Sequence, residues 1–287
     1  MKLAVLLVAA ALTTPLLKVN LATQSFGLVS AGGSVWVAGL SSGDVIRLDP
    51  KTGKVQSRVA VAPRLFNLVA SPGAVWAVAN GASTVTRLDA ATGKKTATVN
   101  VGSSPYDAAW GFGSLWVANA YGGTVSRITG TKVVKTIKAG AEPNGISVIG
   151  GSVWVTDHTG GSLMRIDPAT NKVTGKVKLP GADWVTELAG SLWVSEETNV
   201  VARVDPKTLK VTATVPVQRN PLGSAVVAGQ LWVPCIDSNS AVVIDPKTAK
   251  VVRSFPAGPG PILVLPVGGQ VWISHTTGTS VWRVPAS

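Results

Sequence analysis

Four side chains able to bind metals or move protons share one spacing in the second half of the chain. Asp157, Glu196, Cys235 and His275 each stand three residues after a tryptophan. Asn119 holds the same position one interval earlier, and Gly39 and Ala79 hold it in the two intervals before that. Oxygen ligands gathered this way suit a hard divalent ion, so Ca2+ or Mg2+ on Asp157, Glu196 and Asn119 is one expectation. Glu196 and His275 are the candidate catalytic pair for proton transfer, with Asp157 and His158 next. Cys235 has no basic neighbour fixed by sequence to activate its thiol, so it is not expected to be a nucleophile. A second group precedes the tryptophans: Arg64, Tyr106, Asp107, Asn144, Asp183, Trp184 and Arg219, which together with His158 are the candidate ligand-binding residues. Trp184 could stack on a ligand or plug an interior channel. Glu187, if buried, would have a raised pKa and could accept a proton.

Whether these groups meet depends on the elements that carry them. The pattern G-[SAQ]-[VL]-W places Trp36, Trp76, Trp116, Trp154, Trp193, Trp232 and Trp272 at spacings of 40, 40, 38, 39, 39 and 40 residues. Each interval reads as four short strands, A to D, rich in Val, Ile, Thr and Trp. In the second interval these are 66–70, 74–78, 84–88 and 95–99. Apolar residues at neighbouring positions of A and B predict burial on both faces. The C-to-D turn repeats Asp-Pro-x-Thr, as in Asp49-Pro50-Lys51-Thr52 and Asp205-Pro206-Lys207-Thr208. There Asp accepts turn N–H bonds and Pro presets φ, so these aspartates are structural. Repeats of about 40 residues with four strands make propeller blades. The predicted fold is all-β, a seven-bladed β-propeller of four-stranded blades. The last repeat ends at strand C, and residues 16–21 have strand D character, so the N-terminal strand is expected to complete the last blade.

Composition agrees. Of 287 residues, 46% are hydrophobic and 14% charged, which excludes a disordered chain, and 31 Gly with 18 Pro fit many turns. A single cysteine excludes an intrachain disulfide framework. The chain opens with Lys2, a ten-residue apolar run to Leu12 and Ala9-Ala10-Ala11, the pattern of an export signal over 1–11, with the propeller over 12–287. A periplasmic or extracellular location is therefore expected, with no transmembrane segment after cleavage. Net charge is +12, but the lysines cluster in C-to-D turns and outer strands, where they discourage edge-to-edge pairing. Nucleic-acid binding needs aromatic-lined basic grooves, and two tyrosines with four phenylalanines supply few, so nucleic acid is not the expected partner. Eight of the 14 acids, Asp107, Glu142, Asp157, Asp183, Glu187, Glu196, Glu197 and Asp237, fall in D-to-A loops, B-to-C loops or inner strands. That loop face is the expected functional face.

The segment G-S-V-W-V with the following R-I-D-P-x-T-x-K-V resembles the YVTN/YncE-like bacterial propeller repeat over roughly residues 16 to 287. Leu192-Trp193-Val194-Ser195-Glu196, with Asn199 and Arg203, is similar to a motif of the related streptogramin (virginiamycin B) lyase group. Asn144 stands where that group has the histidine of an H-G-I segment. The resemblance implies a propeller and offers three functions. The first is an exported monomer that binds a small molecule, peptide or cell-envelope component through the D-to-A/B-to-C face. The second is a metal-dependent lyase or lactonase opening a cyclic ester. The third is a YncE-like DNA-binding propeller.

Overall fold

The computed structural model describes residues 15–286; the signal read at 1–11 lies outside them. Seven four-stranded antiparallel sheets follow one another along the chain. Blade 2 shows the plan: Leu65–Ser71, Ala74–Ala79, Thr84–Asp89 and Lys95–Asn100 run from the axis outward as strands A to D. Ring closure is as expected. Leu17–Asn20 pairs antiparallel with Ser280–Pro285, Leu17 facing Arg283 and Asn20 facing Ser280, so the N-terminal strand is strand D of blade 7.

Burial explains the composition of each strand. Strand B of blades 1 to 3 is buried at all six positions, because it is sandwiched between the sheets on either side. The seven repeat tryptophans are almost wholly buried between blades. At 150–250 Å² each, roughly 4–6 kcal/mol of apolar transfer free energy accompanies every one. Strand A departs from the expectation of burial on both faces. Its lower half is only partly covered, as in Val69, Ala70 and Ser71, because it walls an axial channel.

Three polar devices hold neighbouring blades in register. The arginine of strand C lies over its own blade's tryptophan, as Arg127 does over Trp116 at 4.6 Å. It then donates to the next blade's C-to-D turn: Arg127 to Pro168 O (2.7 Å), Arg203 to Pro246 O (3.3 Å), and Arg283 across the seam to Pro50 O (2.8 Å). Blade 3 lacks the Asp-Pro turn, and Arg87 of blade 2 bonds Thr96 of its own blade instead. The second device joins strand B hydroxyls to the next inner strand: Thr156 to Asp183 O (2.9 Å), Ser195 to Leu222 O (3.3 Å) and Ser274 to Phe26 O (2.6 Å). The third is the turn aspartate. Asp49 Oδ1 accepts from the backbone N–H groups of Lys51 (2.9 Å) and Thr52 (2.7 Å), and the other C-to-D aspartates act alike. These bonds hold the carboxyls of Asp49, Asp89, Asp167 and Asp205 below their ordinary pKa.

The inner strands begin with a bulge in blades 1 to 5 and 7. Bulges re-aim side chains, and here they place Phe26, Phe66, Tyr106, Asn144, Asp183 and Ile262 at equivalent positions around the axis. Blade 6 differs, with an inner strand reduced to Ala225–Val227 and an isolated bridge from Pro221 to Cys235. Gly223 belongs to that interruption: a Cβ there would lie 2.2 Å from Ile262 O and 2.0 Å from the Leu263 side chain.

Candidate functional site

The residues three after each tryptophan end strand B, and each serves its own blade. Asp157 Oδ1 accepts the backbone N–H groups of Ala141 (2.9 Å), Glu142 (2.9 Å) and Gly160 (3.2 Å), joining the D-to-A and B-to-C loops of blade 4. Gly140 (φ +103°) packs so closely that a Cβ would lie 2.2 Å from Asp157 Oδ2. His275 makes the same join in blade 7, its Nδ1 2.6 Å from Ser280 O and its Nε2 2.8 Å from Ala257 O. Burial holds its pKa below the ordinary value, so the neutral ring donates to only one of the two carbonyls. Asn119 donates to Thr124 and Ser126. Glu196 accepts from Thr198 at 3.3 Å, and burial raises its pKa. Cys235 is buried, and burial pushes its thiol up to about 12. Among the described residues no group of three or more His, Cys, Asp or Glu is placed to hold a metal ion. The structure therefore gives Asp157 and His275 loop-joining partners and does not bring Asp157, Glu196 and His275 together.

The inner-strand residues do converge. Phe26 and Phe66 stack at 5.2 Å, and Tyr106 meets both edge-on at 5.8 and 5.3 Å. With Leu222, Ile262, Leu263 and Trp184 they form an apolar plug across the axis. Trp184 packs into that plug and also walls the channel below it. On the blade 4 and 5 side the plug gives way to polar groups. Asn144 is 4% exposed and Asp183 6%. Asn144 Nδ2 donates to Asp183 Oδ1 at 3.2 Å, leaving Asn144 Oδ1 buried without a partner. His158 lies above, 3.3 Å from Glu197 through Nε2, and Glu142 accepts from Thr159. Desolvation pushes Asp183 up to about 6, with Glu197 and Glu142 adding to the shift and His158 opposing it. Burial, then the carboxylates of Asp183 and Asp107, hold the Tyr106 phenol well above its ordinary pKa, so it remains a hydrogen-bond donor.

Asp107 has a different character. Its Oδ1 accepts from Asn67 Nδ2 (2.5 Å) and Ala108 N (2.7 Å), and its Oδ2 from Ile146 N (3.0 Å). It ties the inner strands of blades 2, 3 and 4, while desolvation lifts it to about 7. Asn67 was not singled out from sequence, although it stands 40 residues before Asp107 at the same inner-strand position. Arg64 and Arg219 are exposed: Arg64 lies over the Phe66 ring at 5.7 Å and Arg219 donates to Asp237 O at 3.0 Å. Glu187, considered above as a buried base, is exposed at the opposite end of its strand and accepts from Gly190 N at 2.9 Å.

Below the plug the channel opens into a cavity of about 390 Å³, walled by inner strands and reaching Glu187 and Ile149. The sequence pointed only to the D-to-A/B-to-C face. The structure adds this hollow on the other one.

Comparison with known proteins fits this architecture. Solved structures similar to the chain include Kuenenia stuttgartiensis hydrazine synthase, at TM-score 0.80 and 17% identity over 99% of both chains. Another is BamB from Moraxella catarrhalis, at TM-score 0.69 and 12% identity over 95% of this chain and 99% of that one. The chain is a β-propeller. Residues 123–258, just under half of it, match the glutamine cyclotransferase family. No curated protein matches. Among the described residues no helix is long and apolar enough to cross a membrane.

Proposed function

We propose that the protein is an exported ligand-binding propeller whose D-to-A/B-to-C mouth takes a primary ammonium group carried on an apolar body, in a small molecule or at a peptide N-terminus. The observation behind this reading is Asp183. It is a nearly buried carboxylate whose Oδ2 accepts no hydrogen bond from the described residues and whose nearest donor is a neutral amide. Glu142 and Glu197 add negative potential there, while the Phe26, Phe66 and Tyr106 rings supply an apolar floor alongside. Export rests on the leader-like pattern of residues 1–11. The test is calorimetric titration with phenethylamine against phenylacetate. Phenethylamine should bind and phenylacetate should not, and Asp183→Asn should weaken the amine at least about tenfold, or 1.4 kcal/mol. Equal binding of both compounds would defeat the reading.

A second reading is catalytic, and the family match over residues 123–258 favours it. That stretch holds Glu142, Asn144, His158, Asp183, Glu196 and Glu197. Closing a glutamine residue on itself forms a bond from its amine nitrogen to the side-chain carboxamide carbon and expels ammonia. One proton must leave the attacking nitrogen and one must reach the departing nitrogen. A carboxyl group with a pKa of about 6, as at Asp183, suits both transfers. Ammonia release from a glutaminyl peptide, abolished in Asp183→Asn, would establish it. Nothing observed among the described residues at Glu196 or His275 supports a lyase or lactonase built on that pair.

A further inference from the structure

The face opposite that mouth carries two adjoining hollows. The channel cavity of about 390 Å³ and a groove of about 580 Å³ between blades 4 and 5 share Val148, Ile149 and Glu187. Both volumes lie in the range of small-molecule sites. The groove is walled by Val148, Ile149, Trp154 and Pro206, with Arg165 and Lys207 beside them. Arg165 makes the longest inter-blade contact of its kind: Arg47, Arg127 and Arg283 reach the neighbouring blade's carbonyls at 2.6–2.8 Å and Arg203 at 3.3 Å, whereas Arg165 stands 3.5 Å from Pro206 O. Its other bonds stay within its own blade, Nε to Thr174 Oγ1 at 3.2 Å and Nη2 to Thr174 O at 3.5 Å. Neither Arg165 nor Lys207 is in an ion pair among the described residues. The Asp205 carboxylate beside Lys207 is bound to turn N–H groups, and Glu187 to that of Gly190. Two cations thus border a groove whose one carboxylate, Glu187, is held by its own turn, while Asp107 in the adjoining channel is bound by Asn67, Ala108 and Ile146.

We infer that this underside is a second binding site, for a small amphipathic carboxylate whose apolar body lies in the joined hollows and whose carboxylate meets Arg165 and Lys207. A planar guanidinium with an adjacent ammonium recognises a carboxylate through charge-assisted hydrogen bonds. Apolar contact with Val148, Ile149 and the edge of Trp154 supplies the rest. Asp183 lines neither hollow, and the plug, to which Trp184 and Leu263 contribute from both sides, separates the two sites, so they can be occupied independently.

The experiment titrates the full chain with decanoate below its micelle concentration and, in parallel, with decanol, which has the same chain without the charge. Decanoate should bind at least about tenfold more tightly than decanol. Lys207→Glu, an exposed turn substitution that leaves the core intact, should weaken decanoate at least about tenfold while decanol is unaffected. Arg165→Gln should do the same, with its melting temperature checked because Arg165 also lies 5.9 Å over Trp154. Asp183→Asn should change nothing. Equal affinity for the two compounds, no decanoate binding, indifference to Lys207→Glu, or loss on Asp183→Asn would each overturn the inference.

Discussion

The two faces of the ring use aspartate in opposite ways. On the C-to-D face, Asp49, Asp89, Asp167 and Asp205 are only partly buried, and turn N–H groups hold their carboxyls low. Around the mouth and the inner strands, Asp107 and Asp183 are buried, and desolvation raises them to about 7 and about 6 despite their hydrogen bonds. The same side chain therefore stabilises turns where water reaches it and becomes a poised, energetically costly group where water does not. Loop ends tolerate such groups because the surrounding sheets are already fixed by tryptophan burial and the inter-blade arginines.

Several experiments would break or sharpen this contrast. The largest effect should come with pH. Asp107 and Asp183 have folded pKa values above the unfolded one, so their contribution is complete below about pH 4 and is lost as pH rises through 6 to 7, on the order of 4 kcal/mol for Asp107. The turn aspartates run the other way, stabilising above about pH 4 and losing that contribution on acidification. His275, held neutral, adds to the acid limb below its ordinary pKa. Urea denaturation across pH should therefore show a maximum on the acid side of neutrality. Asp107→Asn should flatten the alkaline limb alone, and a maximum at pH 8 would contradict the assignment.

Next in size is Asp157→Ala, which leaves three backbone N–H groups of two loops without an acceptor and should cost about 3 kcal/mol by denaturant titration. Asp49→Ala, where water can replace the side chain, should lower the melting temperature by clearly less; equal losses would erase the distinction between the faces. The smallest effects are the ligand tests, each about tenfold. Asp183→Asn should weaken the amine at the mouth without changing decanoate binding, and Lys207→Glu should do the reverse.

Much of the fold is legible in sequence because its causes are local. Turn chemistry in Asp-Pro-x-Thr, β-branched runs and the recurrent tryptophan give strand order, blade number and the closing strand at Leu17–Asn20. The candidate site was legible only in part. Tyr106, Asn144 and Asp183 gather at one mouth because bulged inner strands point them toward the axis, and His158 reaches it from the B-to-C loop of blade 4. Asp157, a candidate metal ligand, and His275, a candidate proton-transfer group, are engaged in joining loops, which a spacing rule does not reveal because it reports radius and height but not what the side chain touches. Glu187 was placed too deep, since only the strand's direction tells which end meets solvent.

The sequence by itself determined that seven similar units are each unable to bury their own tryptophan and must close on one another. Only the tertiary structure decided where the axis is filled and where it is hollow. That outcome depends on the summed volumes of side chains such as Phe26, Phe66, Tyr106, Trp184 and Ile262, which come from separate blades and meet only when the ring is complete. Burial at that meeting point, not residue identity, shifts Asp183 and leaves the lower channel open.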